Sequence, residues 1–402
     1  MTGLPIDKKF RNNFDYRNNL ALHKKKIINQ EIKHTASVVI PSGRSLSNVN
    51  FVINSLLRDN NEALLEIIVV LDRITTSEDI KFISTLNEKV QIEKMNKNSG
   101  AGLARNKGIQ KAKGDIILFI DDDCIPSKTW INNHLKHYND NNIVGVGGPI
   151  LFYNTSHSKK KHALYECSML YSFQSALHYK ELFWNPTANF SVRSELAKKC
   201  LFNGAFPKSG GGEDVFFGFQ LAKFGKIISE PAAWVKHPYW SGRRNIVKRF
   251  FRWGYADCVL AMEFEKEEGL SNKIIARELT PVSWFILSLI ISGAIGMISG
   301  VWEYILIPFG GFFSWVFFEV LLWHRDKGIR HALVEIISVL FFDLGSTLTR
   351  ILPKYLKVMQ KRILFFPDQL IWLWIATRRV RIATIIGYIF VIFLIIIIKN
   401  EL

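Results

Sequence analysis

An apolar run, Phe119-Ile120, ends abruptly in three carboxylates, Asp121-Asp122-Asp123. Adjacent acids repel each other and lose hydration on burial, so such a run needs a compensating partner. A divalent cation would supply one. Mg²⁺ and Mn²⁺ take oxygen ligands, and their sites often join one or two carboxylates to substrate phosphates. On an extended chain Asp121 and Asp123 face the same side. The alternative is a solvated turn with spare acids.

Three other groups could act with this one. Asn98-Ser-Gly-Ala-Gly-Leu-Ala-Arg-Asn-Lys-Gly108 sets two glycines before a helical stretch carrying Arg105 and Asn106. Helix N-termini and nearby arginines suit phosphate or ribose oxygens, although Arg105 could equally brace a loop. Gly210-Gly-Gly-Glu-Asp214 joins a loop of free conformation to two acids that open a helix, where acids also complement the dipole. His237 precedes Pro238 and adjoins the basic cluster Arg243, Arg244, Lys248, Arg249 and Arg252, with Trp253. A histidine alone is more often structural; its place at the end of a strand-like piece beside cations marks it out.

Elements must bring these groups together. β-branched runs at 37–40, 67–71 and 116–120 end at Pro41, Asp72 and Asp121. Helical spacing of apolar residues occupies 49–57, and 102–112 is a second helix candidate. Strands alternating with helices predict βαβ units and a mostly parallel central sheet, buried on both faces. Ligands of such sheets sit beyond the carboxyl ends of the strands, where Asp72 and Asp121 lie. Strand-like pieces at 143–146, 190–192 and 226–228 follow in a mixed region.

The 402-residue chain changes character along its length. A polar, basic extension (1–35) precedes a mixed globular domain (36–269) and an apolar region (270–402). Spans are expected at about 280–302, 304–323 and 382–398, each near the length that crosses a ~30 Å hydrocarbon core. Glu335 and Asp343 interrupt 332–349, and if that stretch crossed, Arg350 to Arg362 would fall outside, against the positive-inside pattern. Residues 332–376 are therefore expected as interfacial helices, with Trp372 and Trp374 at headgroup level.

The net charge of +17 collects beside the apolar segments, at Arg325, Lys327, Arg330, Arg350, Lys354, Lys357, Lys361, Arg378, Arg379 and Arg381. That placement favours membrane lipid over nucleic acid as partner. The N-terminal stretch shows no signal-peptide core, so the globular domain is expected in the cytoplasm, with the chain in a bacterial inner membrane. Cys124, Cys167, Cys200 and Cys258 form no C-x-x-C pair and read as reduced structural thiols.

Taken in order, these features resemble the family-2 glycosyltransferases, over about 36–254. The opening strand Ser-Val-Val-Ile-Pro41 fits, as do Glu66 to Asp72, Gly100 to Gly108 and the Asp121-Asp122-Asp123 equivalent of D-x-D. Thr187-Ala-Asn-Phe-Ser-Val-Arg193 and Gly212-Glu-Asp214 match acceptor-side motifs. Arg249-Phe-Phe-Arg252-Trp253 looks like a variant of Q-x-x-R-W. Where the family has two acids and Gly-Ser, this chain has Leu71, Asp72, Arg73 and Ile74.

The resemblance implies an α/β GT-A fold that binds a nucleotide-sugar, a helical transmembrane region after it, and a hexosyltransferase-like enzyme that inverts the anomeric carbon. It places Pro41, Asp72, Arg105, Asp121, Asp122, Arg249 and Arg252 at the donor, with Asp72 at the nucleobase. Asn189 and Trp253 go to the acceptor. Mg²⁺ or Mn²⁺ goes to Asp123 and Asp121, with His237 a further ligand. Asp214 becomes the general base and Glu213 its orienting neighbour. The implied partners are a nucleotide-diphosphate sugar, a lipid-linked or glycan acceptor and membrane lipid. A processive polysaccharide synthase and a non-catalytic membrane scaffold that kept the fold are the competing readings.

Overall fold

The computed structural model describes residues 32–43, 46–58, 61–74, 76, 79, 87–153, 165, 167–240, 243–270, 274–276, 281–318, 328–358, 361–363, 365 and 369–401. The three β-branched runs lie in strands β1 (Ala36–Ser42), β2 (Leu64–Leu71) and β4 (Ile116–Ile120). With β3 (Val90–Lys94), β6 (Ile143–Gly147), β8 (Glu181–Leu182), β9 (Asn189–Arg193) and β10 (Lys226–Ser229) they build an eight-stranded sheet, ordered β3-β2-β1-β4-β9-β6-β10-β8. β9 runs against β4 and β6, and β8 against β10; the remaining pairs are parallel.

Alternation along the strands gives the sheet two apolar faces. Val38, Ile40, Val69, Leu118 and Ile120 pack with Val49, Val52 and Ile53 of helix α1 (Leu46–Leu57) on one face. Val39, Val70, Ile117 and Phe119 pack with Ala104 and Ile109 of α2 (Ala101–Lys111) on the other. A Cβ at Gly108 would overlap the Val39 side chain, so glycine is what lets α2 settle on β1. Helix α3 (Trp130–Leu135) follows β4, and α4 (Ser194–Cys200) follows β9.

A second, three-stranded sheet stands beside the main one. β11 (Val235–Pro238) lies between β5 (Ile125–Pro126), antiparallel, and β7 (Ile150–Tyr153), parallel. Helix α5 (Glu213–Leu221) starts directly after the glycine run, and α6 (Arg243–Lys266) carries Arg249, Arg252 and Trp253. Strand β12 (Ile274–Ala276) pairs antiparallel with β13 (Lys361–Ile363).

The apolar region holds α7 (Pro281–Ser299), α8 (Ile307–Phe318), α9 (Ile329–Arg350) and α10 (Gln369–Glu401). Among the described residues three stretches are long and apolar enough to cross a membrane: Pro281–Ser299, Ile329–Arg350 and Arg381–Ile398, with mean hydropathies of 2.0, 1.6 and 2.7. The expected span at 304–323 overlaps a shorter apolar helical stretch, Trp302–Phe318; its end at 319–323, with Glu319, falls outside the described residues.

The 332–376 stretch differs from the series of interfacial helices expected of it. It comprises most of α9, a 3₁₀ segment (Pro353–Val358), β13 and the first turns of α10, where Trp372 and Trp374 belong to the same helix as the last span. Glu335 and Asp343 do not interrupt α9. They are buried, at 3% and 2% exposure, because α9 lies against α6 rather than alone. A Cβ at Gly254 would overlap the Phe342 carbonyl oxygen, and one at Gly345 the Phe251 carbonyl oxygen. The two backbones therefore touch at their crossing. Below it, Arg350 binds Asp257 at 2.7 Å, both side chains being 4% exposed, and donates also to Ser346 Oγ and the Val358 carbonyl.

Candidate active site

A cavity of about 570 Å³ opens at the carboxyl ends of β1, β2 and β4. Pro41, Asp72, Arg105, Asp121, Asp122, Asp123, Glu213, Asp214, His237, Arg249 and Trp253 all line it. The fold thus gathers residues spread over much of the globular region, as expected where strand ends face a ligand cleft.

Each aspartate of the triplet has its own partner. The chain is extended only to Ile120 and then turns, Cys124 N–H donating to the Asp121 carbonyl at 3.2 Å. Asp121 and Asp123, expected on one side, both line the cavity and meet different partners. Asp121 accepts from Arg105 Nη2 at 2.8 Å. Asp122 is buried and accepts from Ser42 Oγ at 2.7 Å, which fixes the turn to β1. Asp123 lies 3.4 Å from His237 Nε2.

The Asp123–His237 pair has the character of a cation site. One ligand atom each from Asp123, Cys124 and His237 lies within 4.8 Å of the others. His237 Nδ1 is 2.6 Å from the Pro238 carbonyl, which can only accept, so Nδ1 carries the proton and Nε2 presents its lone pair. Cys124 is fully buried, and burial, then the charges of Asp121 and Asp123, push its thiol well up. Asp123 and His237 offer an oxygen and a nitrogen donor, a set that suits Mn²⁺ and can admit Mg²⁺. Cys124 was not among the expected ligands, and only the position of β11 beside the turn reveals its proximity.

Asp72 is 5% exposed and accepts Ser99 N–H at 2.6 Å and Gly100 N–H at 2.7 Å. It ties β2 to the start of α2, besides facing the cavity. Arg105 is 4% exposed; its Nη2 is used by Asp121, and its Nε has no acceptor among the described residues. A buried donor of this kind in a cavity wall suits an anionic oxygen.

The other wall is made by α5 and α6. Gly210, Gly211 and Gly212 have φ of 85°, 140° and 89°, values open to glycine and strained for other residues. Glu213 turns back to accept Gly211 N–H at 2.6 Å. Asp214 Oδ1 accepts Val215 N–H at 2.9 Å. Burial, and then the neighbouring Glu213 carboxylate, hold the Asp214 pKa well above the carboxylate range, with Arg105 opposing. This outweighs the helix terminus, which alone would lower it.

Arg249 stacks over Trp240, 4.1 Å from the ring centroid, and burial, then Arg252, lower its pKa to about 10. Arg252 Nε donates to the Gly210 carbonyl at 3.1 Å, holding the glycine run rather than facing the cavity. Trp253 stacks on Phe173 with centroids 6.2 Å apart.

Asn189 is the clear correction. It is fully buried, and its Oδ1 accepts from Trp130 Nε1 at 2.8 Å while its Nδ2 donates to the Pro149 and Ala233 carbonyls. It joins the two sheets and does not line the cavity, so it cannot meet an acceptor there. Trp184 and Trp240 line the cavity and were missed; neither belongs to a motif, and their role follows only from packing.

Residues 37–201 match the family described as "Glycosyl transferase family 2". Among curated relatives, the glycosyltransferase AglE of Haloferax volcanii is 26% identical over 119 residues, 29% of this chain and 39% of that protein. The hyaluronan synthase of Pasteurella multocida is 24% identical over 253 residues, 53% of this chain and 26% of its own. The chain thus spans less than half the length of either relative. Among solved structures, S. aureus TarS 1–349 in complex with UDP-GlcNAc is 16% identical, with a TM-score of 0.43 and coverage of 75% of this chain and 90% of that one. Residues 37–201 thus match the family-2 glycosyltransferases, in a chain whose C-terminal region holds, among the described residues, three helices apolar enough to cross a membrane.

Proposed function

We propose that the protein transfers a sugar from a nucleotide-diphosphate sugar to an acceptor hydroxyl at the membrane surface, inverting the anomeric carbon. One observation carries this reading: Asp121, Asp123, Arg249 and Asp214 face a single cavity at the strand ends. The donor's pyrophosphate gains negative charge as the glycosidic bond breaks. Arg105, with its unused Nε–H, and Arg249 supply donors on that side. A bound Mn²⁺ or Mg²⁺, held by Asp123 and His237, would neutralise part of the leaving-group charge. Asp72 and Pro41 lie where the nucleoside would enter, and Asp121 would hold a ribose hydroxyl while keeping Arg105 in place.

Asp214 is the proton acceptor. Its raised pKa brings it nearer to working pH, which strengthens its ionised form as a base. It takes the acceptor proton as the hydroxyl oxygen attacks the anomeric carbon from the side opposite the diphosphate. One such displacement inverts the centre. Glu213, anchored on the Gly211 amide, fixes the loop before Asp214. Trp253 provides an apolar wall for the acceptor. The globular domain would stand on the cytoplasmic side, where nucleotide sugars are made, with α7 to α10 in the bilayer.

The test is release of nucleoside diphosphate by the full-length protein in nanodiscs, given a panel of UDP-, GDP- and dTDP-sugars with Mn²⁺. Consumption of at least one donor that stops on chelation is expected. No consumption of any donor, with membrane lipids present, would favour the non-catalytic scaffold.

A further inference from the structure

Trp240 lines the cavity between two elements that carry parts of the site. β11, which holds His237, ends at Pro238, and α6, which holds Arg249 and Trp253, begins at Arg243. The Trp240 ring meets all three side chains. The Arg249 guanidinium lies over it, 4.1 Å from the ring centroid. The His237 imidazole meets it edge to face, with centroids 5.7 Å apart and planes at 70°. Trp253 does the same from α6, at 6.3 Å and 83°.

Each contact limits what its partner can do. Stacking on an aromatic face leaves the in-plane N–H donors of a guanidinium unused. Among the described residues Arg249 makes no hydrogen bond or ion pair, so those donors are available to the cavity it lines. His237 is 5% exposed and packs against both Trp240 and Phe152, the latter at 5.4 Å. With Nδ1 spent on the Pro238 carbonyl, this packing resists rotation of Nε2 away from Asp123. Trp240 is itself fixed, by Phe152 at 5.1 Å and by the Tyr165 hydroxyl, which donates to its carbonyl at 3.3 Å. One indole therefore sets the spacing between the Arg249 donors and the Asp123–His237 pair. A cation-bound pyrophosphate must meet both at once.

We propose that Trp240 is a positioning residue of the transfer site, holding Arg249 and His237 at the separation that a cation-bound pyrophosphate requires. Its role rests on the transfer reading for the anion and not for the cation contact. No bond is made or broken at the indole. Loss of the ring must then loosen cation and nucleotide together, although different elements hold them.

The test uses the full-length protein in nanodiscs. Mn²⁺ binding is titrated by electron paramagnetic resonance, and UDP and GDP binding by calorimetry at saturating Mn²⁺. Trp240→Leu should weaken nucleotide binding roughly tenfold, the scale of a desolvated cation–π contact. It should weaken Mn²⁺ binding by roughly tenfold as well, as loss of a residue that orients a metal ligand does. Arg249→Lys keeps the charge and loses the planar stack. It should weaken the nucleotide alone, leave Mn²⁺ unchanged, and add almost nothing in the Trp240→Leu background. Additive losses, or unchanged Mn²⁺ affinity in Trp240→Leu, would overturn the proposal. Should Trp240→Leu fail to fold, Trp240→Phe decides. Its weaker ring field should loosen the nucleotide roughly threefold at an unchanged melting temperature, and native affinity would overturn the role. Native protein that binds Mn²⁺ but neither nucleotide would remove the transfer reading, and the Mn²⁺ titration would then decide the Trp240 role by itself. Native protein that binds no Mn²⁺ would overturn that role.

Discussion

The family-matched region, 37–201, and the region after it handle buried polar groups differently. In the first, such groups are mostly answered by backbone or neutral partners: Asp72 by two amides, Asp122 by Ser42, Glu66 by Ser37 and Gln91, Asn189 by two carbonyls and an indole. In the second, charge meets charge or an aromatic face. Asp257 meets Arg350, Arg249 meets Trp240, and Asp214 sits beside Glu213. The first pattern fixes a shape. The second includes Asp214 and Arg249, cavity-lining groups with displaced proton affinities, which is what a reaction uses.

The contrast breaks most sharply at Asp123, a reactive group within the shape-holding region. Asp123→Ala is expected to abolish metal-dependent turnover, read as nucleoside diphosphate release across a Mn²⁺ titration. Full activity of the variant, or of the native protein in excess chelator, would remove the cation from Asp123.

Asp214→Asn should retain donor binding by calorimetry and lose transfer by roughly 10²-fold or more. Only the ionised form works, so the native rate should fall on the acid side of the raised Asp214 pKa, above the ordinary carboxylate range of about 4. For stability the sign is opposite to that of a paired acid. A folded-state pKa raised above the unfolded one is a penalty present in full above the folded pKa and gone below the unfolded value. Asp214→Asn should therefore raise the melting temperature at pH 8 and give no gain near pH 3. A variant less stable at pH 8 would mean that Asp214 is a structural acid.

Next comes the buried pair. Arg350→Met alone should cost about 3–5 kcal/mol, because Asp257 keeps an uncompensated buried charge, while Arg350→Met with Asp257→Leu should recover most of it. Thermal unfolding in detergent reads both, and equal losses would show that packing rather than charge matters there. The smallest effect is expected at Asp72→Asn, which gives up one charge-assisted acceptor to the Ser99 and Gly100 amides, a loss of about 2 kcal/mol.

Much of this was legible in the sequence, for local reasons. The β-branched runs ending at Pro41, Asp72 and Asp121 announce strands and the edge where they stop, because those patterns are short-range. The glycine run and Asp214 were legible for the same reason. What failed depended on partners distant in the chain. Asn189 stands in an acceptor-side motif, yet β9 turns it inward between two sheets, and no nearby residue foretells Trp130 or Ala233. Glu335 and Asp343 spoke against a continuous apolar helix at 332–349, since a lone helix cannot hide them; α6, some eighty residues earlier in the chain, supplies the cover. Trp184 carries no signal apart from its place in the cavity.

The crossing of α6 and α9 has a consequence for turnover. Gly254 and Gly345 put backbone against backbone, with no side chains between them to slide or rotate. Such a joint moves as one body, so a hinge there cannot admit substrate or release nucleotide. Motion of the Gly210–Gly212 loop, whose backbone has torsional latitude, would have to break the Arg252–Gly210 and Glu213–Gly211 bonds. Hydrogen exchange should be slow at 250–258, and faster exchange at 209–212 on Glu213→Gln would show that the Glu213–Gly211 bond holds the loop. Stiffening the loop, by Gly210→Ala for instance, would slow release and chemistry together, leaving the membrane helices as the fixed frame against which the loop works.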